Sequence, residues 1–256
     1  MKSKFIIENV SKSFSQKILK DISLEISGED ITVIVGKSGC GKTTFLRMLA
    51  GLENISDGSI KFLDSSGKEK KAKIGMVFQE PRLMPWLTVE KNIRIYEKEE
   101  KVDVDKVLSL VSLKDAGNFY PSELSGGMAS RIAIARAIGY NPDILLMDEP
   151  FAALDYFTRN QLQNEIIKIH KETKTGIVFV THNIDEALLI GGKIIIFNRG
   201  KCEEIKIDKD YPRDIGDIEL INLKKDMPHI FLNLEGVFIN YGNILNSLLQ
   251  EGNQVL

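Results

Sequence analysis

Short apolar segments recur along the chain and differ in how they mix with polar residues. The segments 31–35, 177–180 and 194–197 are dominated by β-branched residues and are bounded by polar or turn-forming residues. Such short runs are typical of strands buried on both faces of a parallel sheet. The segments 5–10 and 22–26 instead contain alternating polar residues and predict half-buried strands. The chain therefore predicts strands of two kinds.

Helical periodicity lies between these strands. Within 104–111, valine and leucine recur at i, i+3, i+4 and i+7, which places them on one face of an amphipathic helix. Similar spacing predicts a helix that follows the glycine-rich segment 36–43 and ends at Gly51, and another around 162–169. Strands alternate with helices, and the stretch 87–140 is mainly helical. This order predicts an α/β fold built on a parallel sheet.

Composition narrows the class of protein. The chain has 256 residues, 43% hydrophobic and 27% charged, with a net charge of −2, which is ordinary for a globular protein and does not favour nucleic acid as a partner. Cys40 and Cys202 show neither a pairing pattern nor metal-ligand spacing, so we expect a reducing, cytosolic setting. The apolar part of the N-terminus is too short for a signal peptide, and the apolar runs fall short of the ~20 residues of a spanning helix. We therefore expect that the chain does not cross a membrane by itself.

A glycine-rich segment offers the first candidate chemistry. Residues 36–43 read Gly-Lys-Ser-Gly-Cys-Gly-Lys-Thr and stand between a predicted strand and a predicted helix, which is the P-loop pattern in its required context. Glycines let backbone N–H groups converge on phosphate oxygens, and the helix N-terminus adds partial positive charge. We expect Lys42 to contact the β- and γ-phosphates and the Thr43 hydroxyl to bind Mg²⁺. The residues expected to bind nucleotide here are Gly36, Lys37, Ser38, Gly39, Cys40, Gly41, Lys42, Thr43 and Thr44.

The P-loop leaves two points open. It predicts a nucleoside triphosphate without separating an ATPase from a kinase or a GTPase. Cys40 is either a redox-sensitive brake on phosphate binding or a small residue that fits the loop.

Acidic and histidine residues follow two predicted core strands. Asp148 and Glu149 end an apolar strand, at the sheet edge where ligands bind. We expect Asp148 to hold Mg²⁺. Because side chains alternate along a strand, we expect Glu149 to point in another direction and to orient and deprotonate the attacking water. His182 ends the strand 177–180 and is placed to hydrogen-bond the γ-phosphate. The alternatives are a solvated acidic strand end and a surface histidine.

A second glycine motif identifies a family. The signature segment 124–128 reads Leu-Ser-Gly-Gly-Met and precedes a helical run, so its serine and glycines can form another anion site at a helix N-terminus. With this run, the sequence resembles the ABC transporter ATPase family over about 10–198. The resemblance implies that Ser125, Gly126 and Gly127 bind the ATP held by an opposite subunit in a head-to-tail dimer.

The resemblance implies further roles. Phe14 stands where the family has an aromatic, more often tyrosine, that stacks on adenine. Gln79 matches a glutamine that contacts Mg²⁺ and relays its state to a transmembrane partner. The run 153–155, which ends in Asp155, matches a segment that crosses the dimer interface, and His182 matches the family's switch histidine. The implied cofactors are ATP and Mg²⁺, with Lys42, Gln79, Glu149 and His182 in catalysis.

One stretch points to a branch of the family. Residues 77–89, which include Pro85 and Trp86, and the run 211–214 are similar to ATPases of importers for nitrate, taurine, alkanesulfonates and thiamine precursors. This implies a homodimer, or a heterodimer with a paralogous ATPase, bound to permease subunits at the cytoplasmic face of the cell membrane and served indirectly by a solute-binding protein. An exporter ATPase or a soluble, non-transport ABC ATPase are the alternatives.

The same reasoning divides the chain. We expect a P-loop core with a mostly parallel sheet and an antiparallel β portion near the N-terminus, in two parts at 1–86 and 141–210. A helical signature subdomain at 87–140 is inserted between them, and 211–256 forms a C-terminal appendage. Beyond Asp214 we expect no resemblance to the family.

Overall fold

The computed structural model describes residues 2–97, 101–152 and 154–232. The strands are β1 (Lys4–Ser13), β2 (Lys17–Ser27), β3 (Ile31–Gly36), β4 (Asp57–Leu63), β5 (Ile74–Val77), β6 (Ile144–Asp148), β7 (Gly176–Thr181), β8 (Lys193–Asn198) and β9 (Lys201–Lys206). The α-helices are α1 (Lys42–Leu49), α2 (Val89–Ile93), α3 (Val104–Leu110), α4 (Gly126–Gly139), α5 (Tyr156–Thr173), α6 (Ile184–Ile190) and α7 (Ile218–Leu232). Short 3₁₀ turns cover Arg94–Tyr96, Lys114–Ala116 and Pro121–Glu123.

Two sheets organise these elements. The larger has the strand order β5-β6-β7-β3-β8-β9, in which β5 to β8 are parallel and β9 is antiparallel to β8. The smaller sheet has the order β2-β1-β4 and is antiparallel. Every residue of β3, β6 and β7 is buried, whereas β1 and β2 alternate in exposure. The predicted α/β fold and its two kinds of strand are confirmed.

The central strand β3 shows how the layers pack. Val33 and Val35 face a core shared with α3 to α6, and Ile34 faces a second core shared with α1 and the small sheet. Successive side chains of a strand point to opposite faces, so one β-branched run serves both cores. The apolar positions predicted in 104–111 and 162–169 are buried as expected.

The helices α2 to α4 lie between β5 and β6 in the chain. Helix α4 packs against α2, α3 and β5. Arg136 of α4 is buried and donates hydrogen bonds to the carbonyl oxygens of Pro81 and Arg82. These contacts fasten the loop after β5 to α4. The division of the chain at 86/87, 140/141 and 210/211 stays a prediction.

The C-terminal part of the described chain packs against the end of α6. The Tyr211 hydroxyl donates to the Ile190 carbonyl, and the Arg213 guanidinium donates to the carbonyl oxygens of Leu188 and Gly191. The predicted appendage reaches residue 256, and its part from 233 onward lies outside the described residues. Within the described ranges, none of the helices has both the length and the apolar character needed to span a bilayer.

Candidate active site

The P-loop connects the end of β3 to the start of α1. A Cβ on Gly36 would lie 2.7 Å from the Phe197 carbonyl oxygen, and one on Gly41 would lie 2.7 Å from Leu19 Cδ2. Gly41 also has φ of 104°, a conformation that side chains rarely adopt. Both glycines are therefore required for the loop to turn tightly into the helix, whose first N–H groups then point into the loop.

Lys42 is the first residue of α1 and is buried. Its Nζ donates hydrogen bonds to the carbonyl oxygens of Gly36, at 2.8 Å, and Lys37, at 3.1 Å. The same atom lies 4.0 Å from Glu149 Oε1. The ammonium group is thus held inside the loop and faces the acidic end of β6.

Thr43 and Asp148 meet although they are distant in sequence. The Thr43 hydroxyl donates to Asp148 Oδ1 at 2.9 Å, and Asp148 is 7% exposed. Burial raises the pKa of the Asp148 carboxyl, and the hydrogen bond from Thr43 opposes that rise. A hydroxyl and a carboxylate oxygen beside a phosphate loop fit Mg²⁺, which takes hard oxygen ligands and shares them with substrate phosphates and water. In the described part of the chain, no cluster of three or more acidic, histidine or cysteine side chains forms a metal site of its own.

Glu149 and His182 form a second pair at the same sheet edge. The distance from His182 Nδ1 to Glu149 Oε2 is 2.9 Å. Strand alternation does not direct Glu149, because β6 ends at Asp148 and Glu149 has φ of 45°. Its N–H donates to the Val180 carbonyl oxygen at 3.0 Å, and this bond fixes the left-handed turn. The expectation that strand alternation orients the Glu149 side chain was therefore wrong. The side chain turns toward His182 because the backbone leaves the pleat.

Phe14 and Gln79 lie on the surface. The Phe14 ring is 54% exposed, with Lys12 Nζ 4.7 Å from its centroid. Gln79 is exposed two residues beyond the end of β5. Among the described residues, no hydrogen bond joins Gln79 to Thr43 or Asp148. The roles of Phe14 and Gln79 in nucleotide and Mg²⁺ binding stay predictions.

The signature segment stands at the start of α4. Ser125 is the N-cap residue, and its hydroxyl accepts from the Met128 N–H at 3.2 Å. A Cβ on Gly127 would lie 2.8 Å from Thr158 Cγ2 in α5. Asp155 caps α5 and accepts from the N–H groups of Phe157 and Thr158. The starts of α4 and α5 therefore lie side by side. Ala153, the first residue of the predicted interface run 153–155, lies outside the described residues.

Two charged residues near the site, Glu186, which is buried, and Arg159, which is partly exposed, were not singled out from the sequence. Glu186 of α6 is 4% exposed and accepts from the Thr181 hydroxyl at 2.6 Å. Arg159 of α5 lies beside it, with Nε 3.6 Å from Glu186 Oε1. A glutamate in the first turn of a helix is a common surface feature, so the sequence carries no signal for this burial.

Comparisons with known proteins agree with this site geometry. The family model described as ABC transporter matches residues 19–152, slightly more than half of the chain. The chain belongs to the ABC transporter family. The match includes the P-loop, Asp148, Glu149 and the signature segment, and it ends before Asp155 and His182.

Relatives of this ABC protein cover most of its length. The uncharacterized ABC transporter ATP-binding protein MJ0412 of Methanocaldococcus jannaschii is 42% identical over 248 residues, 90% of this chain and 92% of the relative. The aliphatic sulfonates import ATP-binding protein SsuB of Bacillus cereus is 37% identical over 95% of this chain and 98% of its own length, and SsuB of Bacillus subtilis is 41% identical over 80% and 83%. A match over 95% of the chain extends past Asp214, so the expectation of no resemblance there was wrong.

Solved ABC cassettes share the fold. A dimeric post-hydrolysis state of the cassette MJ0796 bound to ADP and Pi covers 80% of this chain and 100% of its own, with 28% identity and a TM-score of 0.68. Another dimeric MJ0796 structure gives a TM-score of 0.69 at the same identity and coverage. This ABC protein is an ATP-binding transporter subunit with ATPase activity, as the sequence predicted. The roles of its individual site residues stay predictions.

Proposed function

We propose that two copies of this chain form a head-to-tail dimer that hydrolyses two ATP molecules, each held between one P-loop and the other copy's signature segment. The observation that carries the proposal is the convergence of Lys42, the Thr43–Asp148 pair and the Glu149–His182 pair at one sheet edge. Related cassettes crystallised as dimers, which supports the arrangement. ATP then stabilises the closed dimer, and hydrolysis removes the contacts to its terminal phosphate.

Each side chain of the site has its own role in the proposed ATP hydrolysis. Lys42 and the loop N–H groups bind the β- and γ-phosphates, and Phe14 stacks on the adenine. Thr43 and Asp148, with Gln79, hold Mg²⁺, which neutralises phosphate charge when bound. Glu149 orients the attacking water and accepts its proton.

The remaining roles belong to His182 and to the signature segment of the second copy. His182 holds the Glu149 carboxylate through Nδ1 and presents its other ring nitrogen to the γ-phosphate. Ser125 and Gly127 of the second copy cap that phosphate in the closed dimer.

A membrane permease is the proposed partner of this dimer. The loop 81–88 is held rigidly by Arg136 and by Asn92, which is fully buried, yet it presents Trp86 with 70% of its surface exposed. Phe119 and Tyr120 are also exposed, and the Phe119 carbonyl accepts from the Val89 N–H, so they adjoin the loop. Exposed aromatic groups on a fixed loop support docking to another protein. The complex would place the chain at the cytoplasmic face of the membrane.

Substitution of Trp86 tests the docking. Trp86→Ser should leave ATP binding by the isolated subunit unchanged and reduce its co-purification with the membrane permease. Leu52→Ser removes a similarly exposed apolar side chain three residues beyond the end of α1 and should not affect assembly. Equal permease binding by both variants would contradict this docking surface.

The proposed solute class is the aliphatic sulfonates. Several relatives about 40% identical to this chain carry that import function in their names. The test is to purify the chain from native membranes with its permease and binding protein, and to measure ATPase stimulation by binding protein loaded with an alkanesulfonate, nitrate or a thiamine precursor. Stimulation by the sulfonate alone supports the assignment. Stimulation by one of the others overturns the solute class and leaves the ATPase mechanism intact.

A further inference from the structure

Beside the Glu149–His182 pair lies a chain of buried and partly buried polar contacts. The Arg159 side chain donates from Nη2 to the Leu154 carbonyl oxygen at 3.0 Å, and its Nε lies 3.6 Å from Glu186 Oε1. The other oxygen of Glu186 accepts from the Thr181 hydroxyl at 2.6 Å. These contacts connect the start of α5 to the end of β7.

The contacts of Thr181 control the turn that carries His182. The Thr181 hydroxyl accepts from the Asn183 N–H at 3.0 Å while it donates to Glu186. The hydrogen bonds thus fix the backbone on both sides of His182, whose own side chain is exposed. Without them, the imidazole would keep its contact with Glu149 through one exposed hydrogen bond.

The network is incomplete at one contact. A cavity of about 40 Å³, large enough for at least one water molecule, is lined by Glu149, Arg159, His182 and Glu186, among others. Arg159 Nε is buried and has no hydrogen-bond acceptor among the described residues. Its 3.6 Å separation from Glu186 exceeds a hydrogen bond by roughly 0.6 Å. A small movement of α5 toward Glu186 would therefore form this hydrogen bond.

We propose that Arg159 and Glu186 are positioning residues, which couple the interface segment (154–155) to the Glu149–His182 pair. The inference rests on the proposed function, since it takes Glu149 as the base and 154–155 as part of the dimer interface. Closure of the dimer moves the interface segment, Arg159 follows its bond to Leu154, and Glu186 transmits the change through Thr181 to His182. Water attack thereby depends on the presence of the second copy.

Burial makes Glu186 sensitive to the loss of Arg159. Glu186 stands in a desolvated site, and burial raises the pKa of its carboxyl. Removal of the Arg159 charge leaves Glu186 without its cation, so it either takes up a proton or shifts toward other donors. Each response alters the orientation of the Thr181 hydroxyl.

The experiment compares Arg159→Met, Arg159→Lys and Glu186→Gln with the unmodified chain in its permease complex. We expect kcat to fall at least about tenfold in Arg159→Met and Glu186→Gln with KM for ATP changed less than about twofold, because misplacement affects the chemical step and not ground-state binding. Arg159→Lys should recover part of kcat, because it retains the charge beside Glu186.

The control is Glu165→Gln, which also removes a largely buried carboxylate from an ion pair of α5. Glu165 lies 3.3 Å from Arg131 of α4 and is as buried as its partner. We expect Glu165→Gln to lower the melting temperature with kcat within about twofold of the unmodified chain. A similar loss of kcat in this control would show a general effect of α5 stability and would overturn the coupling.

The outcomes separate this inference from the proposed function. If Glu149→Gln is inactive while Arg159→Met and Glu186→Gln keep full kcat, the coupling is wrong and the mechanism stands. If Glu149→Gln itself turns over normally, the proposed function fails. Should Arg159→Met not fold, Arg159→Lys decides: an unchanged kcat and KM with weakened thermal stability overturns the positioning role, and a lowered kcat with unchanged KM supports it.

Discussion

His182 Nδ1 lies 2.9 Å from Glu149 Oε2, although the two residues are 33 positions apart in the sequence. They meet because β6 and β7 are parallel neighbours whose carboxyl ends reach the same edge of the sheet. The contact occupies Nδ1, so the opposite ring nitrogen faces outward. In the imidazolium form both nitrogens can donate, one to Glu149 and, in the proposed mechanism, the other to a phosphate oxygen.

The first prediction concerns the base. Glu149→Gln should bind MgATP, lower kcat by more than about a hundredfold and accumulate as an ATP-bound dimer, because the amide cannot accept the proton from water. Turnover is measured by phosphate release and the dimer by size-exclusion chromatography with light scattering. A variant that hydrolyses ATP at the normal rate would show that another group is the base.

A second prediction separates the two halves of the composite site. Ser125→Arg should leave nucleotide binding by the monomer unchanged and lower kcat by about a hundredfold or more, because the new side chain blocks the cap over the partner's phosphate. Calorimetry with ATP measures binding, and phosphate release measures turnover. Full activity of this variant would contradict the head-to-tail arrangement.

A third prediction tests the anchoring of the loop 81–88. Asn92 is fully buried, its amide nitrogen donates to the carbonyl oxygens of Met84, Leu87 and Thr88, and its oxygen accepts from the Met84 N–H. Asn92→Ala should lower the free energy of unfolding by about 2–4 kcal/mol, because buried backbone groups lose their partners.

Denaturant unfolding measures this loss. Asn118→Ala, at an exposed asparagine of the same helical stretch, should change stability by less than about 0.5 kcal/mol. Equal effects of the two substitutions would show that the Asn92 network does not stabilise the fold.

A fourth prediction concerns the thiols. Burial raises the pKa of Cys202 to about 11 and also raises the pKa of Cys40, so both carry less thiolate at pH 7 than an ordinary cysteine. Maleimide labelling of each site, followed by mass spectrometry, should be slow at pH 7 and rise about tenfold per pH unit up to the pKa. ATP should slow the labelling of Cys40 alone.

The denatured chain is the control, since both thiols then titrate near the ordinary value. The raised pKa favours Cys40 as a small residue that fits the loop over a redox-sensitive brake, because thiolate is the reactive form. Fast labelling of Cys40 at pH 7 in the folded chain would reverse that interpretation.

Local sequence patterns determined much of this protein. Several features depend on the conformational limits of a few neighbouring residues. They are the glycines and Lys42 of the P-loop, the buried β-branched strands and the serine cap of α4. The order of these motifs identified the family and hence the ATPase, and the family match confirmed it. These features were legible because their physical causes lie within one or two turns of chain.

The tertiary structure decided what depends on distant partners. Only packing shows that Glu186 is buried beside a cation, since its partner Arg159 adjoins it in space and not along the chain. The direction of Glu149 was inferred from strand alternation, but its left-handed backbone is fixed by a bond to β7, a neighbouring strand far along the chain. The burial of a polar side chain cannot be recognised from periodicity in the sequence. The same holds for a backbone dihedral that a neighbouring strand stabilises.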